Sequence, residues 1–277
     1  MKILFIGDIV GKPGREIIRK GLPALVAHLD ADLVIANAEN SAAGFGVTKD
    51  IGDTLLEAGV QVMTSGNHIW AKKEVIEYMA VEPRLLRPAN YPAGVPGRGS
   101  YVAQTSDGRA VGVINVMGRV FMQSIDDPFT VVLKEIEAMR GRTKVIIVDF
   151  HAEATSEKVA MGWYLDGKVT LVVGTHTHVQ TADERILHNG TAYITDAGMT
   201  GPHDSIIGME REPSLARFLN GMPTRYEPAT GNPRLNGVVI EVDDKTGRAL
   251  SINRVSCSEK DLAAIASRDQ SAAPVKA

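Results

Sequence analysis

The chain has 277 residues, 44% of them hydrophobic, a formal net charge of −3 and a single cysteine, Cys257. That length supports a sizeable buried core in one large domain or two small ones, and one cysteine excludes an internal disulfide, which fits a reducing compartment. At that charge no broad basic face for duplex nucleic acid is evident, so any attraction for a phosphate must be local, and bound metal cations could supply it.

Strands and helices alternate through the first part of the chain. Lys2–Gly7 is a short, continuously apolar run, the pattern of a strand buried on both faces. Pro13–His28 carries apolar residues at helical spacing (Ile17, Ile18, Leu22, Leu25, Val26); Pro13 suits a first turn, and Pro23 marks a kink or split. Asp32–Ala38 reads as a second strand. Thr48 caps a helix to about Ala58, stopped by Gly59. Val60–Thr64 is a third strand and Lys72–Met79 a short helix. Glu82–Gly99, rich in Pro, Gly and Arg, is an irregular connection between two halves. Tyr101–Gln104 and Val111–Val116 flank Ser106-Asp107-Gly108, which predicts a hairpin. A helix over Pro128–Met139 follows, then a strand over Lys144–Phe150, a helix over Ser156–Tyr164, and strands over Thr170–Val173 and Ala192–Thr195. Glu210–Leu219 has helical character. Val238–Val242 and Ala249–Val255 make a second hairpin around Asp244-Lys245-Thr246-Gly247. The tail from Ser267 is rich in Ala, Ser, Gln and Lys and is expected to fray.

Helix-alternating strands together with hairpins predict an α/β core of two mixed sheets with helices outside. The expected organisation is one domain over 1–266 and a tail over 267–277. The start, Met1 to Ile6, is too short for a signal peptide before Asp8, and no apolar run approaches the ~20 residues of a membrane helix. A soluble, cytoplasmic protein that does not enter a membrane is expected.

Five motifs place metal-ligand types just past apolar runs: Gly7-Asp8, Glu39-Asn40, Gly66-Asn67-His68, Phe150-His151 and Gly174-Thr175-His176-Thr177-His178. If the strands share a sheet edge, these clusters converge. Asp8 alone could equally be a helix cap. Glu39-Asn40 adds a carboxylate, able to bridge two cations, and a carboxamide oxygen. Gly66 lets the backbone bend after its strand; Asn67 offers a neutral oxygen, and His68 can face the site without ligating, free to transfer protons. A single strand-end histidine such as His151 is more often structural. His176 and His178, two apart, point the same way if the segment is extended. Three histidines with carboxylates and amides suit a two-metal site for phosphate-ester hydrolysis, and mixed imidazole and oxygen donors suit Mn, Fe, Zn or Ni over Ca. Cys257, His28 and His188 read as structural. His203 lies in a Gly-rich loop, Gly198–Ser205, that reads as a plain turn, although such loops can also present N–H groups to phosphate.

In this order the motifs resemble the calcineurin-like metallophosphoesterase superfamily. More closely, Ile6–Gly11, Ala38-Glu39-Asn40, Ser65–His68, Gly174–Gln180 and Thr195–Pro202 resemble the YmdB-like family of bacterial phosphodiesterases over nearly the whole chain. The superfamily's first motif usually reads Asp-x-His; here Val10 stands in the histidine's place, and Asn40 substitutes. Ala38-Glu39 likewise replaces the usual Gly-Asp.

The resemblance implies a four-layer αββα sandwich with two mixed sheets. It implies one metal on Asp8, Glu39, Asn40 and His178 and a second on Glu39, Asn67, His151 and His176, with Glu39 bridging. The ions would be divalent or mixed-valence transition metals, Fe or Mn first and Zn or Ni as alternatives. The implied activity is hydrolysis of 2′,3′- or 3′,5′-cyclic nucleotides by a metal-bridging hydroxide, with His68 as proton donor. A phosphomonoesterase or nucleotidase on the same site, and a non-enzymatic regulator that binds metal and nucleotide or RNA, are the alternatives. A small phosphodiester is the expected partner; RNA has no support from charge, and homo-oligomerisation is implied only by the resemblance.

Overall fold

Alternation of inward and outward side chains sorts the apolar strands into layers. The computed structural model describes residues 1–272, with side chains through residue 268. In chain order the elements are β1 (Lys2–Ile6), β2 (Asp8–Ile9), α1 (Gly11–Leu29), β3 (Leu33–Asn37), α2 (Lys49–Glu57), β4 (Val62–Thr64), a 3-10 turn (Ile69–Ala71), α3 (Val75–Val81), β5 (Ser100–Gln104), β6 (Ala110–Met117) and α4 (Pro128–Met139). There follow β7 (Val145–His151), α5 (Thr155–Leu165), β8 (Leu171–Thr175), β9 (Arg185–Ile186), β10 (Ala192–Ile194), β11 (Met199–Pro202), α6 (Arg211–Asn220), β12 (Pro233–Val242), β13 (Ala249–Ser258) and α7 (Glu259–Ala272).

One sheet runs β2-β11-β12-β1-β3-β4, with β13 also on β12; the other runs β5-β6-β7-β8-β10-β9. Both are mixed. β1 is parallel to β3 and antiparallel to β12, and β6, β7, β8 and β10 are parallel to one another while the edge strands β5 and β9 are antiparallel to them. Ile3, Phe5, Leu33 and Ile35 meet Val113, Ile147, Leu171 and Val173 between the sheets. On the outer face of the first sheet, Leu4, Ile6, Val34 and Ala36 pack with Ile17, Leu22 and Leu25 of α1. On the outer face of the second, Val148 and Phe150 pack with Val132 and Ile136 of α4 and Met161 of α5. Helices, sheet, sheet and helices make the four-layer αββα sandwich.

The apolar filling between the sheets stops at one end. Two residues past Ile35, Val62, Val113, Ile147 and Val173, the same inward face presents Asn37, Thr64, Asn115, Asp149 and Thr175, all fully buried. This polar layer lies at the C-terminal ends of the parallel strands, directly under the loops that carry the five motifs.

Several elements differ from the sequence reading. α1 continues through Pro23. β2, β9 and β11, of two to four residues, are too short to show a periodic signal. β12 begins at Pro233 and β13 ends at Ser258, both longer than expected. The Gly-rich stretch expected as a turn contains β11, which pairs with β2 and β12. α7 carries regular structure to Ala272, into the expected tail, and residues 273–277 of that tail lie outside the described residues. Thr48 does cap α2, its Oγ1 accepting from Ile51 N–H at 3.3 Å. Among the described residues no helix is long and apolar enough to cross a membrane.

Candidate metal centre

The strand-end residues converge on His151, the last residue of β7. Its Nε2 lies 3.0 Å from Glu39 Oε1, 3.0 Å from Asn67 Oδ1 and 3.0 Å from His176 Nδ1. Beside this group, Asn40 Nδ2 stands 3.1 Å from His178 Nε2, and Asp8 Oδ1 lies 3.8 Å from the same nitrogen. Asp8, Glu39, Asn40 and His151 are buried, and the seven residues singled out as ligands form one continuous patch.

The protons of the three imidazoles are assigned by their outer partners. His151 Nδ1–H donates to Thr175 Oγ1 at 2.9 Å, and Thr175 in turn donates to Asp149 Oδ1 at 2.7 Å. His178 Nδ1–H donates to the Ile207 carbonyl at 2.8 Å. His176 Nε2–H faces Glu153 Oε2 at 3.0 Å. Each ring therefore turns an unprotonated nitrogen inward, the arrangement that outer-shell acceptors impose on metal-binding histidines. Burial drives His151 well below the usual histidine range, and burial followed by His151 drives His176 down to about 4. With their N–H bonds turned outward to Thr175 and Glu153, His151 and His176 face each other and two oxygens with lone pairs.

The carboxylates tell the same story. Burial, then the neighbouring Asp196, Glu39 and Asp149, push Asp8 well above the usual carboxylate range, and burial pushes Glu39 up. Asp8 Oδ2 accepts from His176 N–H at 3.2 Å, but Oδ1 is buried without a hydrogen-bond partner. A buried orphan oxygen costs about 1–3 kcal/mol or more when charged. Donor atoms 3.0 Å apart are spaced as ligands sharing one cation about 2.1 Å from each. The residues thus fit a bound transition metal: cations satisfy Asp8 Oδ1 and the facing lone pairs together.

Two local expectations are corrected. Gly66 is not needed for a bend; a Cβ there would stand 2.1 Å from His151 Cδ2, so glycine is required for the imidazole to pass. His176 and His178 are not on an extended segment. β8 ends at Thr175, and both adopt left-handed backbone, φ +97° and +66°. Such strain costs of order 1–3 kcal/mol per residue and persists where the surroundings hold it. Asp196 does so here: its Oδ2 accepts from Thr177 N–H at 3.1 Å and Thr177 Oγ1 at 2.6 Å, and pairs with buried Lys158 at 2.7 Å.

His68 stands apart from the ligand cluster. Its backbone N–H donates to Glu39 Oε2 at 2.9 Å, its Nε2 accepts from Asn67 Nδ2 at 3.2 Å, and its ring meets Phe45 edge-on at 4.9 Å. Asn67 thus links the two functions, its oxygen toward His151 and its amide toward His68. His203 does not reach the site; its ring bonds the Gly201 carbonyl and Asn236. The sequence reading missed Asp149, Thr175, Asp196, Lys158 and Ile207. Asp149 is marked as an acid within the apolar run Val145–Phe150, and Thr175 and Asp196 lie inside named motifs that give them no role.

Comparison with known proteins adds to this geometry. The family model described as YmdB-like protein matches residues 4–255. A Bacillus subtilis (strain 168) protein named 2′,3′-cyclic-nucleotide 2′-phosphodiesterase is 50% identical over 256 residues, 92% of this chain and 96% of its own length. A crystal structure of a hypothetical protein from Thermus thermophilus superposes with TM-score 0.87 at 41% identity, covering 93% of this chain and 99% of that one. A second, titled as a novel phosphatase from Mycoplasma pneumoniae, does so with TM-score 0.87 at 39% identity and 93% coverage of each chain.

Proposed function

The chain belongs to the YmdB-like protein family, and from that premise and the geometry of the centre we propose that it is a metal-dependent phosphodiesterase that opens 2′,3′-cyclic nucleotides to 3′-nucleotides. The observation that carries the reading is the inward, unprotonated face of all three imidazoles around buried Asp8 and Glu39. The name of the Bacillus subtilis relative supports the substrate class.

Glu39, Asn67, His151 and His176 would hold one cation, and Asp8, Asn40 and His178, with Glu39 between the groups, the other. Two such ions, of the Fe or Mn class with Zn and Ni as alternatives, supply Lewis acidity and offset the charge of the phosphate. Without them the floor is acidic, and no lysine or arginine is among the described residues lining the cleft above it, so the side chains alone would repel a phosphodiester.

In the reaction, water oxygen bonds to phosphorus, the P–O2′ bond breaks, O2′ takes a proton from the donor, and the proton that water loses restores that donor. His68 is the donor in this reading. In the neutral ring Nε2 accepts from Asn67 and the single proton sits on Nδ1, so donation requires the imidazolium form; the contact with Phe45 holds the ring in the cleft. General acid assistance of this kind is worth roughly 10²–10⁴-fold.

The test is product analysis with added Mn²⁺ on 2′,3′-cyclic nucleotides, 3′,5′-cyclic nucleotides and nucleoside monophosphates. Appearance of 3′-nucleotide from the first group is the expected result. Hydrolysis of monoesters with intact cyclic substrates would move the chain to the phosphatase reading that the Mycoplasma pneumoniae structure's title suggests.

A further inference from the structure

The cleft above the metal centre, about 340 Å3, has a polar floor and an apolar wall. Glu39, His68 and His178 form the floor; Phe45, Met209, Phe218 and Tyr226 stand on the wall. Phe218, on α6, is 79% exposed, so its ring face is free for a ligand to cover. Ser214, on the same helix, lines the same cleft, and its buried Oγ has no hydrogen-bond partner. The wall is held in shape. Glu210 N–H donates to the Glu227 carbonyl at 2.9 Å, Thr224 Oγ1 to the Pro213 carbonyl at 3.2 Å, and the Arg217 guanidinium lies 5.4 Å from the Tyr226 ring centroid.

We propose that this wall is the nucleoside subsite: the substrate's base packs against Phe218 and Tyr226. The proposal rests on the phosphodiesterase reading, because continuity with the floor is what places a nucleoside there. A phosphate over Glu39 and His178 places the rest of a nucleotide beside this cleft, which those two residues themselves line. Aromatic faces accept any base, so the subsite binds without choosing between purine and pyrimidine.

The test uses Phe218→Ala, Tyr226→Ala and Tyr226→Phe in the full chain, none of which touches the ligand cluster. Phe45 is left alone because it contacts His68. KM and kcat are measured for adenosine and uridine 2′,3′-cyclic phosphates and for the base-less 1-O-methylribose 2′,3′-cyclic phosphate. Loss of stacking predicts a KM increase of about 5- to 100-fold for Phe218→Ala and Tyr226→Ala on both nucleotides. Tyr226→Phe should be close to the parent, kcat should stay within about two-fold, and the base-less substrate should be unaffected. Equal losses on the base-less substrate, or unchanged KM on the nucleotides, would overturn the subsite. So would a change confined to self-association by sedimentation, which would assign the α6 face to a second copy. If the parent hydrolyses no cyclic nucleotide, the functional reading fails instead. Calorimetry with adenosine 3′-monophosphate then still decides the subsite: binding lost in Phe218→Ala upholds it, and equal binding or no binding to the parent refutes it.

Discussion

Replacing Thr175 with valine keeps the shape of the side chain and removes one oxygen. That oxygen accepts from His151 Nδ1–H at 2.9 Å and donates to Asp149 Oδ1 at 2.7 Å, in a place fully shut off from water. The valine would strand a buried N–H on His151. It would also strand Asp149 Oδ1, whose carboxyl keeps Thr64 and Asn37 only on Oδ2. Each orphan costs about 1–3 kcal/mol, so the metal-free protein should lose roughly 2–6 kcal/mol, toward the lower end if Asp149 takes up a proton. Burial already pushes Asp149 up to about 7, so that proton is easily gained. The second effect is on the metal. With no acceptor at Nδ1, the His151 ring is free to change tautomer and orientation, and loss of such a support typically weakens binding about 10- to 100-fold. Urea unfolding of the metal-free protein and Mn²⁺ titration by calorimetry read the two effects separately. Stability reduced with metal affinity unchanged would refute the argument that Thr175 sets the face His151 turns to the cation.

The other predictions concern neighbouring parts of the same machinery. Gly66→Ala drives a methyl into His151, 2.1 Å from Cδ2, so metal binding and activity should collapse at least about 10²-fold while the far-ultraviolet circular dichroism stays native. His68→Ala should lower kcat by roughly 10²–10⁴ with both metals retained by elemental analysis; loss of metal would make His68 a ligand. Lys158→Met leaves Asp196 buried without its cation, which costs about 3–5 kcal/mol in thermal unfolding and loosens the His176–His178 turn that Asp196 holds. Chelation should abolish turnover, and Mn²⁺ or Fe²⁺ should restore it; turnover that survives chelation would count against a metal-dependent reaction.

What was legible beforehand followed from periodicity. Continuous apolar runs such as Lys2–Gly7 and Lys144–Phe150 located the central strands, and the residues just past them located the site, because parallel strands deliver their C-terminal ends to one edge. Two kinds of feature stayed hidden. Paired strands of two to four residues, β2, β9 and β11, carry too few positions for an alternation to register. Long-range support also leaves no local mark: Thr175 looks like any strand threonine until Asp149 and His151 are seen on either side of it. Gly66 was assigned a conformational reason when its cause was a side chain 85 positions away in the chain, His151. Phe218 and Tyr226 drew no notice, since an exposed helix face and a loop tyrosine have meaning only once the cleft beside them is known.

The central claim is that two cations sit in the cluster these strands assemble. Anomalous scattering from a crystal of the Mn²⁺-loaded protein tests it most directly. Two peaks are predicted, one within ligand distance of Glu39, Asn67, His151 and His176 and the other of Asp8, Glu39, Asn40 and His178. A single peak, or peaks away from His151, would contradict it.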